Sequence, residues 1–398
     1  MKPPPSITLT VISQSVLPQH GPTVYLSEGW ASYIHDCLSP HFARTILVAP
    51  TMENGNQPWQ TVALDPAAIE IMRLPVLDRR ASGRRGFAAG RSLKVLFNAV
   101  QAADLVWLLL PSRRSLAAGL LCRWLRRPYV AYIGGDLADQ TAHHKEMASA
   151  LTLRLESWVV RRAAFVLVAG KKLRNRYAAV NPRTYERRPA THLRKEDIAW
   201  RADSILDPAA PLHCLYVGAI RPGKGVLDLI RAISQLRNSG VEATLTLVGA
   251  RPRPEARQLD GLLADLHLAD VVAQTGHVPN GPSLWEYYRR ANIFVIASHP
   301  NYGEGFPRVI YEAMAHGLPV VTTAAGGIAG DMAHEANCLI VPPGQPAAIA
   351  GALQRLWRDG ELRRLLIANA YQTVSAVLAV SPEQQVTQLL REYGLASK

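Results

Sequence analysis

The chain has 398 residues, 48% hydrophobic and 19% charged, which suits two or three folded domains with substantial cores. Its net charge of +13 is lopsided: residues 1–200 hold 27 Lys and Arg against 14 Asp and Glu, while residues 201–398 hold 17 of each. No apolar run reaches the ~18–20 residues that span a bilayer, and the four scattered cysteines (Cys37, Cys122, Cys214, Cys338) lack any disulfide-framework or metal-ligand spacing, as in a reduced intracellular protein.

In chain order, MKPPPSITLT carries no secretory pattern, because Pro-Pro-Pro leads straight into the strand-like run Ile7–Ser13. His20-Gly21-Pro22 reads as a turn, Tyr25–Leu38 as a helix and Thr45–Ala49 as a second strand. Residues 77–92 are basic and Gly-rich and read as a mobile loop. Val106–Leu110, Tyr129–Ile133 and Phe165–Val168 are strands, with helices over Leu116–Arg126 and Met147–Arg162 between them. Strands alternating with helices imply a doubly wound parallel sheet. Arginine pairs punctuate this half, among them Arg79-Arg80, Arg113-Arg114, Arg126-Arg127 and Arg161-Arg162. Such a field attracts anionic surfaces. It fits either an anionic membrane partner, with a place in the cytoplasm or on the inner face of the membrane, or a solvated Arg-rich surface. No RNA- or DNA-binding motif accompanies it, so nucleic acid is not an expected partner.

Residues 181–200 are polar and irregular, and a linker is expected near 190–210. The α/β rhythm then repeats: strands His213–Val217, Ala243–Val248, Val271–Gln274, Ile293–Ala297 and Leu339–Val341, with helices Val226–Arg237, Leu259–Leu266, Leu284–Arg290 and Pro346–Trp357. A helix-rich tail runs from Glu361 to Tyr393. The expected domains are 1–200, 201–375, and a C-terminal helix in 376–398.

Three loops of the second half carry chemistry. VGAIRPGKG, residues 217–225, is a strand, a Gly/Pro loop and a helix start, the outline of a phosphate cradle in which Lys224 and Arg221 supply charge. Gly326-Gly327 follows an apolar strand and suits close approach of a phosphate. GEGFPRVIYEAMAHGLPVVTT, residues 303–323, holds Glu304 and Glu312 eight apart, with Pro307 able to open a helix between them. Eight helical residues rise about 12 Å and return to nearly the same face. Two acceptor-only carboxylates are thus presented to one long ligand, and a sugar nucleotide has that shape. The plainer alternative is a pair of solvated glutamates favouring the helix dipole.

Glu304-x7-Glu312, with EGFP and YEAMAHGLPVV around it, resembles the signature of retaining glycosyltransferases of family 4, which have the GT-B fold: two Rossmann-like doubly wound domains facing across a cleft. The resemblance is clear over about 212–345 and thinner before that. It implies that Glu304 lies beside the donor sugar, that Gly305, Phe306 and Pro307 contact sugar hydroxyls through their backbone, and that Glu312 binds the donor ribose. It places Val278, in Thr275-Gly276-His277-Val278, near the donor base, read by main-chain groups, so UDP and GDP stay open. Gly21 stands where the family has a Gly-Gly loop touching the donor phosphate. Asp136 follows the strand Tyr129–Ile133 and takes either an acceptor-positioning or base role or a helix-capping one. His143 and His144 are further candidates for acceptor contact, and Arg251 and Arg253 either reach phosphate or are ordinary loop residues. His299 reads as structural. In GT-B proteins the last helix packs back on the first domain.

Two departures stand out. The usual phosphate-binding Arg is Ala219 here, with Arg221 two residues on as its substitute, and the usual Gly-Gly-Ile-Pro-Glu reads Gly326-Gly327-Ile328-Ala329-Gly330. The reading is a metal-independent retaining transferase without a cofactor. Its catalytic groups are Glu304, Lys224 and Asp136. Its donor site is Gly21, Arg221, Lys224, Val278, Gly305, Phe306, Pro307, Glu312, Gly326 and Gly327. The donor is a nucleotide sugar, UDP- or GDP-linked, and the acceptor a glycan or lipid-linked precursor. A degenerate, non-catalytic scaffold, a sugar-nucleotide epimerase of the same fold and a membrane-surface module are the alternatives.

Overall fold

The structure, a computed structural model, describes residues 7–13, 15–53, 61–76, 85–134, 147–187, 193–205, 207, 209–221, 223–251, 253–300, 306–325, 327–328 and 332–395. The chain divides into two compact units, Met1–Ala190 with Ser381–Lys398, and Thr191–Val380. The sequence reading draws these boundaries at 200 and 375.

The first unit is built on β1 (Thr8–Ile12), β2 (Leu17–His20), β3 (Thr23–Ser27), β4 (Arg44–Glu53), β5 (Thr61–Ala63), β6 (Glu70–Leu74), β7 (Leu105–Leu110), β8 (Tyr129–Ile133), β9 (Val166–Val168) and β10 (Thr184–Glu186). Strands run β10-β9-β8-β7-β1-β4 in parallel, with β6 parallel on the far side of β4. Every residue of β7 and β8 is buried. Successive side chains point to opposite faces of a strand, so these apolar runs feed two cores at once. Leu105, Trp107, Leu109, Val130 and Tyr132 join one core, and Val106, Leu108, Leu110, Ala131 and Ile133 the other. The first core is closed by Val386, Leu389 and Leu390 of the helix Pro382–Glu392. The second is covered by the helices Arg85–Ala102, Arg113–Trp124 and Met147–Arg161.

Two local expectations fail here. Tyr25–Ser27 lies in β3, which pairs antiparallel with β2 and β5, because Val24 and Leu26 bury as an alternating pair. The helical stretch begins only at Glu28 and passes into a π-helical turn over Tyr33–Leu38. Residues 85–92, expected as loop, open the helix Arg85–Ala102, whose Leu96, Ala99 and Val100 are fully covered; residues 77–84 lie outside the described residues.

The second unit has six strands, β11 (Leu212–Val217), β12 (Ala243–Val248), β13 (Val272–Gly276), β14 (Ile293–Ile296), β15 (Val320–Thr323) and β16 (Leu339–Val341). They lie β13-β12-β11-β14-β15-β16, all parallel. The order turns back on itself between β11 and β14. In open α/β sheets, ligands bind beyond the carboxyl ends of the strands at such a reversal.

Candidate functional site

Beyond β11 the chain passes Gly218 to Gly225 and enters the helix Val226–Asn238. Gly225 caps that helix in the left-handed region, φ +68°, and a Cβ there would sit 1.9 Å from the carbonyl oxygen of Ala297, just past β14. Gly249, after β12, is packed as tightly: its Cβ would meet Gly218 O at 1.9 Å. The His299 amide donates to Gly223 O at 2.7 Å. Bare backbone therefore locks the three loops at the reversal point together.

They enclose a cavity of about 230 Å³ lined among others by Arg221, Gly223, Val226, Asp228, Arg231 and His299. The first turn of a helix leaves backbone N–H groups without helical partners and carries partial positive charge. Here Gly225 offers no capping side chain. The Asp228 carboxylate in the wall is occupied by His299 Nε2 at 2.7 Å and lies 3.5 Å from Arg231 Nη1. Arg221 adds a second guanidinium. The cavity is thus a small, net-cationic space at a helix start. Lys224 is half-buried in the same loop, its amide bonded to Arg221 O at 3.1 Å.

Glu312 belongs to the short helix Val309–Ala315 and is 3% exposed. Its Oε2 accepts the Tyr288 hydroxyl at 2.8 Å, from the helix Pro282–Arg290. Burial pushes the Glu312 carboxyl up from its ordinary value, while the Tyr288 hydrogen bond and the Arg308 charge pull it back. Tyr288 stacks on His316 at 5.3 Å, and Trp285 lies 5.2 Å from the same ring. His316 Nδ1 donates to the main-chain oxygen of Glu312 at 2.8 Å, and burial holds this imidazole below its usual range. Glu312 is thereby held at its carboxylate by Tyr288 and at its main-chain oxygen by His316, within one aromatic block.

Tyr288→Phe removes a hydrogen bond to a charged, buried acceptor, worth about 2 kcal/mol. That bond favours the ionised form, so its loss raises the Glu312 value further. Denaturation should show the full loss at neutral pH and a smaller one as acid protonates Glu312; equal losses at both pH values would show that Glu312 is not involved.

The remaining expected site residues are spread out. Glu304, Gly305, Gly326 and Asp136 lie outside the described residues, as do His143, His144 and Gly330. Phe306 stacks on Tyr311 at 4.4 Å, and Pro307 O accepts the Ile310 amide at the entry to the Glu312 helix. Gly327 is buried, and Val278 is half-buried past β13. Gly21 sits at the turn of the β2–β3 ribbon in the first unit, its amide donated to the Glu53 carboxylate at 2.9 Å. Arg251 is ion-paired with Asp260 at 2.6 Å. Asp228, Arg231 and Tyr288 were not anticipated. An acid in the first turn of the helix after a Gly loop was the available sign for Asp228, and its partner His299 is 71 positions away.

Residues 211–359 match the family model described as Glycosyl transferases group 1. The D-inositol 3-phosphate glycosyltransferase of Pseudarthrobacter chlorophenolicus is 33% identical over 165 residues, 41% of this chain and 38% of that protein. The lipopolysaccharide core biosynthesis glycosyltransferase LpsD of Rhizobium meliloti is 31% identical over 188 residues, 47% of this chain and 49% of its own length. The chain thus spans less than half the length of either relative. A crystal structure of Anabaena HepE in complex with UDP superposes with a TM-score of 0.70 at 19% identity, covering 97% of this chain and 100% of that one. Among the described residues, no single helix is long and apolar enough to cross a membrane, and no His/Cys/Asp/Glu group could hold a metal ion. Residues 211–359 of the second unit thus resemble a Glycosyl transferases group 1 domain, in a chain whose two α/β units have the GT-B fold.

Proposed function

We propose that the protein is a glycosyltransferase that moves a hexose-type sugar, with retention and without a metal ion, from a nucleoside-diphosphate donor to a lipid-linked or polysaccharide-precursor acceptor. The cationic cavity at the β11/β14 reversal carries this reading. Its size and charge suit a diphosphate, with Arg221, Lys224 and the first turn of Val226–Asn238 taking up charge as the nucleotide departs. Arg221 stands in the cavity wall although Ala219 occupies the family's usual arginine position, which supports the substitution. Glu312 would hold the ribose hydroxyls and Glu304 the sugar, with Gly305, Phe306, Pro307, Gly326 and Gly327 lining the donor. Val278 would lie near the base, Gly21 near the phosphates, and Asp136 would serve the acceptor. The match to a lipopolysaccharide-core enzyme supports an envelope-precursor acceptor, used on the inner face of the membrane. The UDP in the HepE structure supports a uridine donor.

The test is a thermal-shift screen with UDP-glucose and GDP-mannose, since a ligand of the folded state raises its stability. We expect a shift with one of them. Arg221→Ala and Lys224→Ala should each weaken donor binding by roughly ten- to a hundredfold, the worth of one charge-assisted contact. No shift with either nucleotide would favour the non-catalytic scaffold. Full transfer in both Lys224→Ala and Glu312→Ala would overturn the assignment.

A further inference from the structure

Three of the helices that cover one face of the first unit's sheet have an unusual outer surface. Arg91, Lys94, Arg113, Arg123, Arg154 and Arg161 are all exposed on them. Across Arg85–Ala102, Arg113–Trp124 and Met147–Arg161 the sequence holds one acidic residue, Glu156, which is 1% exposed and accepts the Tyr177 hydroxyl at 3.0 Å. The three helices therefore present cationic charge with no exposed carboxylate of their own.

Large apolar side chains stand among these cations. Leu93 is 52% exposed, Leu120 43%, Trp124 71% and Leu151 71%. Leu93 and Phe97 are one helical turn apart, as are Leu120 and Trp124, so each pair shares a helix face. The rings of Phe97 and Trp124 meet at 5.8 Å, which joins the two pairs into one stripe across two helices. The layer is closely packed beneath: a Cβ on Gly119 would lie 2.7 Å from Val159 Cγ1, so the second and third helices approach through a residue with no side chain. Just past the third helix, Arg162 lies over the Trp158 ring at 4.2 Å. A partner for this face must be anionic and must accept an indole and leucines at its boundary. Headgroups over acyl chains meet both demands, and Trp at that depth matches its amphipathic ring. A soluble polyanion meets only the first.

We propose that this three-helix face is the surface by which the protein docks on an anionic lipid bilayer, with Trp124 inserted at the headgroup level and the arginines paired to lipid charges. This rests on the reading of a membrane-linked acceptor and assigns the residues that would bring the enzyme to it. The test uses the full chain and sedimentation with vesicles of phosphatidylcholine alone or of phosphatidylcholine with phosphatidylglycerol. Wild type should sediment with the anionic vesicles, less so as salt approaches ~0.15 M, and should stay in solution with the neutral ones. Because each basic residue near such a surface counts for about fivefold in binding, Arg123→Glu with Arg154→Glu should lower it at least tenfold. Trp124→Ser should lower it severalfold while leaving the salt dependence unchanged. Arg290→Glu, a charge reversal at an exposed position of the second unit, should bind like wild type. Absence of sedimentation with anionic vesicles, a loss in Arg290→Glu matching that in the double variant, or tighter binding to single-stranded RNA than to the vesicles would each overturn the proposal. The UDP-glucose thermal shift should be untouched in these variants, so failure to dock and failure to bind donor are read separately.

Discussion

A Glu312→Gln variant is expected to bind nucleotide-sugar donor about a hundredfold more weakly and yet to melt at a higher temperature than wild type. The first effect follows from the assignment of Glu312 to the ribose, because two hydrogen bonds to a charged acceptor are worth about 1.5–3 kcal/mol each and a neutral amide keeps only part of that. The second follows from burial. Enclosing a carboxylate that is 3% exposed is unfavourable, and the Tyr288 hydroxyl offsets this only in part. Glutamine retains an oxygen for Tyr288 and sheds the charge. The folded-state value of Glu312 is raised, so its protonated form is fully present below the unfolded value and is lost as pH rises through the folded one. Wild-type stability attributable to this residue therefore falls in that window, whereas glutamine does not titrate. The difference in melting temperature should widen from acid to neutral pH. A constant difference, or a less stable variant at neutral pH, would show that the site holds the carboxylate comfortably and that it is structural.

Gly225→Ala is expected to destabilise the second unit by roughly 3–5 kcal/mol, combining the left-handed penalty with the overlap of a Cβ and a neighbouring backbone. The Cβ would stand 1.9 Å from Ala297 O, and a backbone oxygen between a strand and its loop cannot swing aside as a side chain would. Gly240→Ala supplies the comparison. Its φ of +86° is also left-handed, but nothing lies within 4 Å of its Cβ, so only the conformational term of about 1–2 kcal/mol applies. Denaturant unfolding of the two variants isolates the contact. Equal losses would mean that the loops past β11 and β14 part easily and that the cavity between them is loosely shaped.

Much of the second unit was legible because its strands are short apolar runs, as in Ala243–Val248, closed by Gly249, and Ile293–Ile296. The same applies to the Gly loop before Val226, where the glycines announce close backbone approach. What escaped was tertiary. Nothing near Glu312 in sequence shows that it will be enclosed; it is buried because the helix Pro282–Arg290 brings Tyr288 to it from 24 positions away. The Asp228–His299 pair spans two strand ends that meet only in the folded sheet. The β2–β3–β5 ribbon was missed because Thr23–Ser27 is too short to separate a period of 2 from one of 3.6.

The helix Pro382–Glu392 completes the core of the first unit: Val386, Leu389 and Leu390 lie on it, Tyr393 stacks on Phe165 at 5.2 Å, and Gln385 bonds Glu186 O at 2.7 Å. On the ribosome this reverses the usual order of maturation, in which the earlier domain folds first. The first 190 residues emerge with one side of their sheet only partly covered, by Tyr33, Ile34 and Leu38 among others, while the contiguous second unit, Thr191–Val380, is synthesised and is free to fold. A nascent chain stalled before residue 381 would thus carry a complete second unit and a first unit whose core is still open.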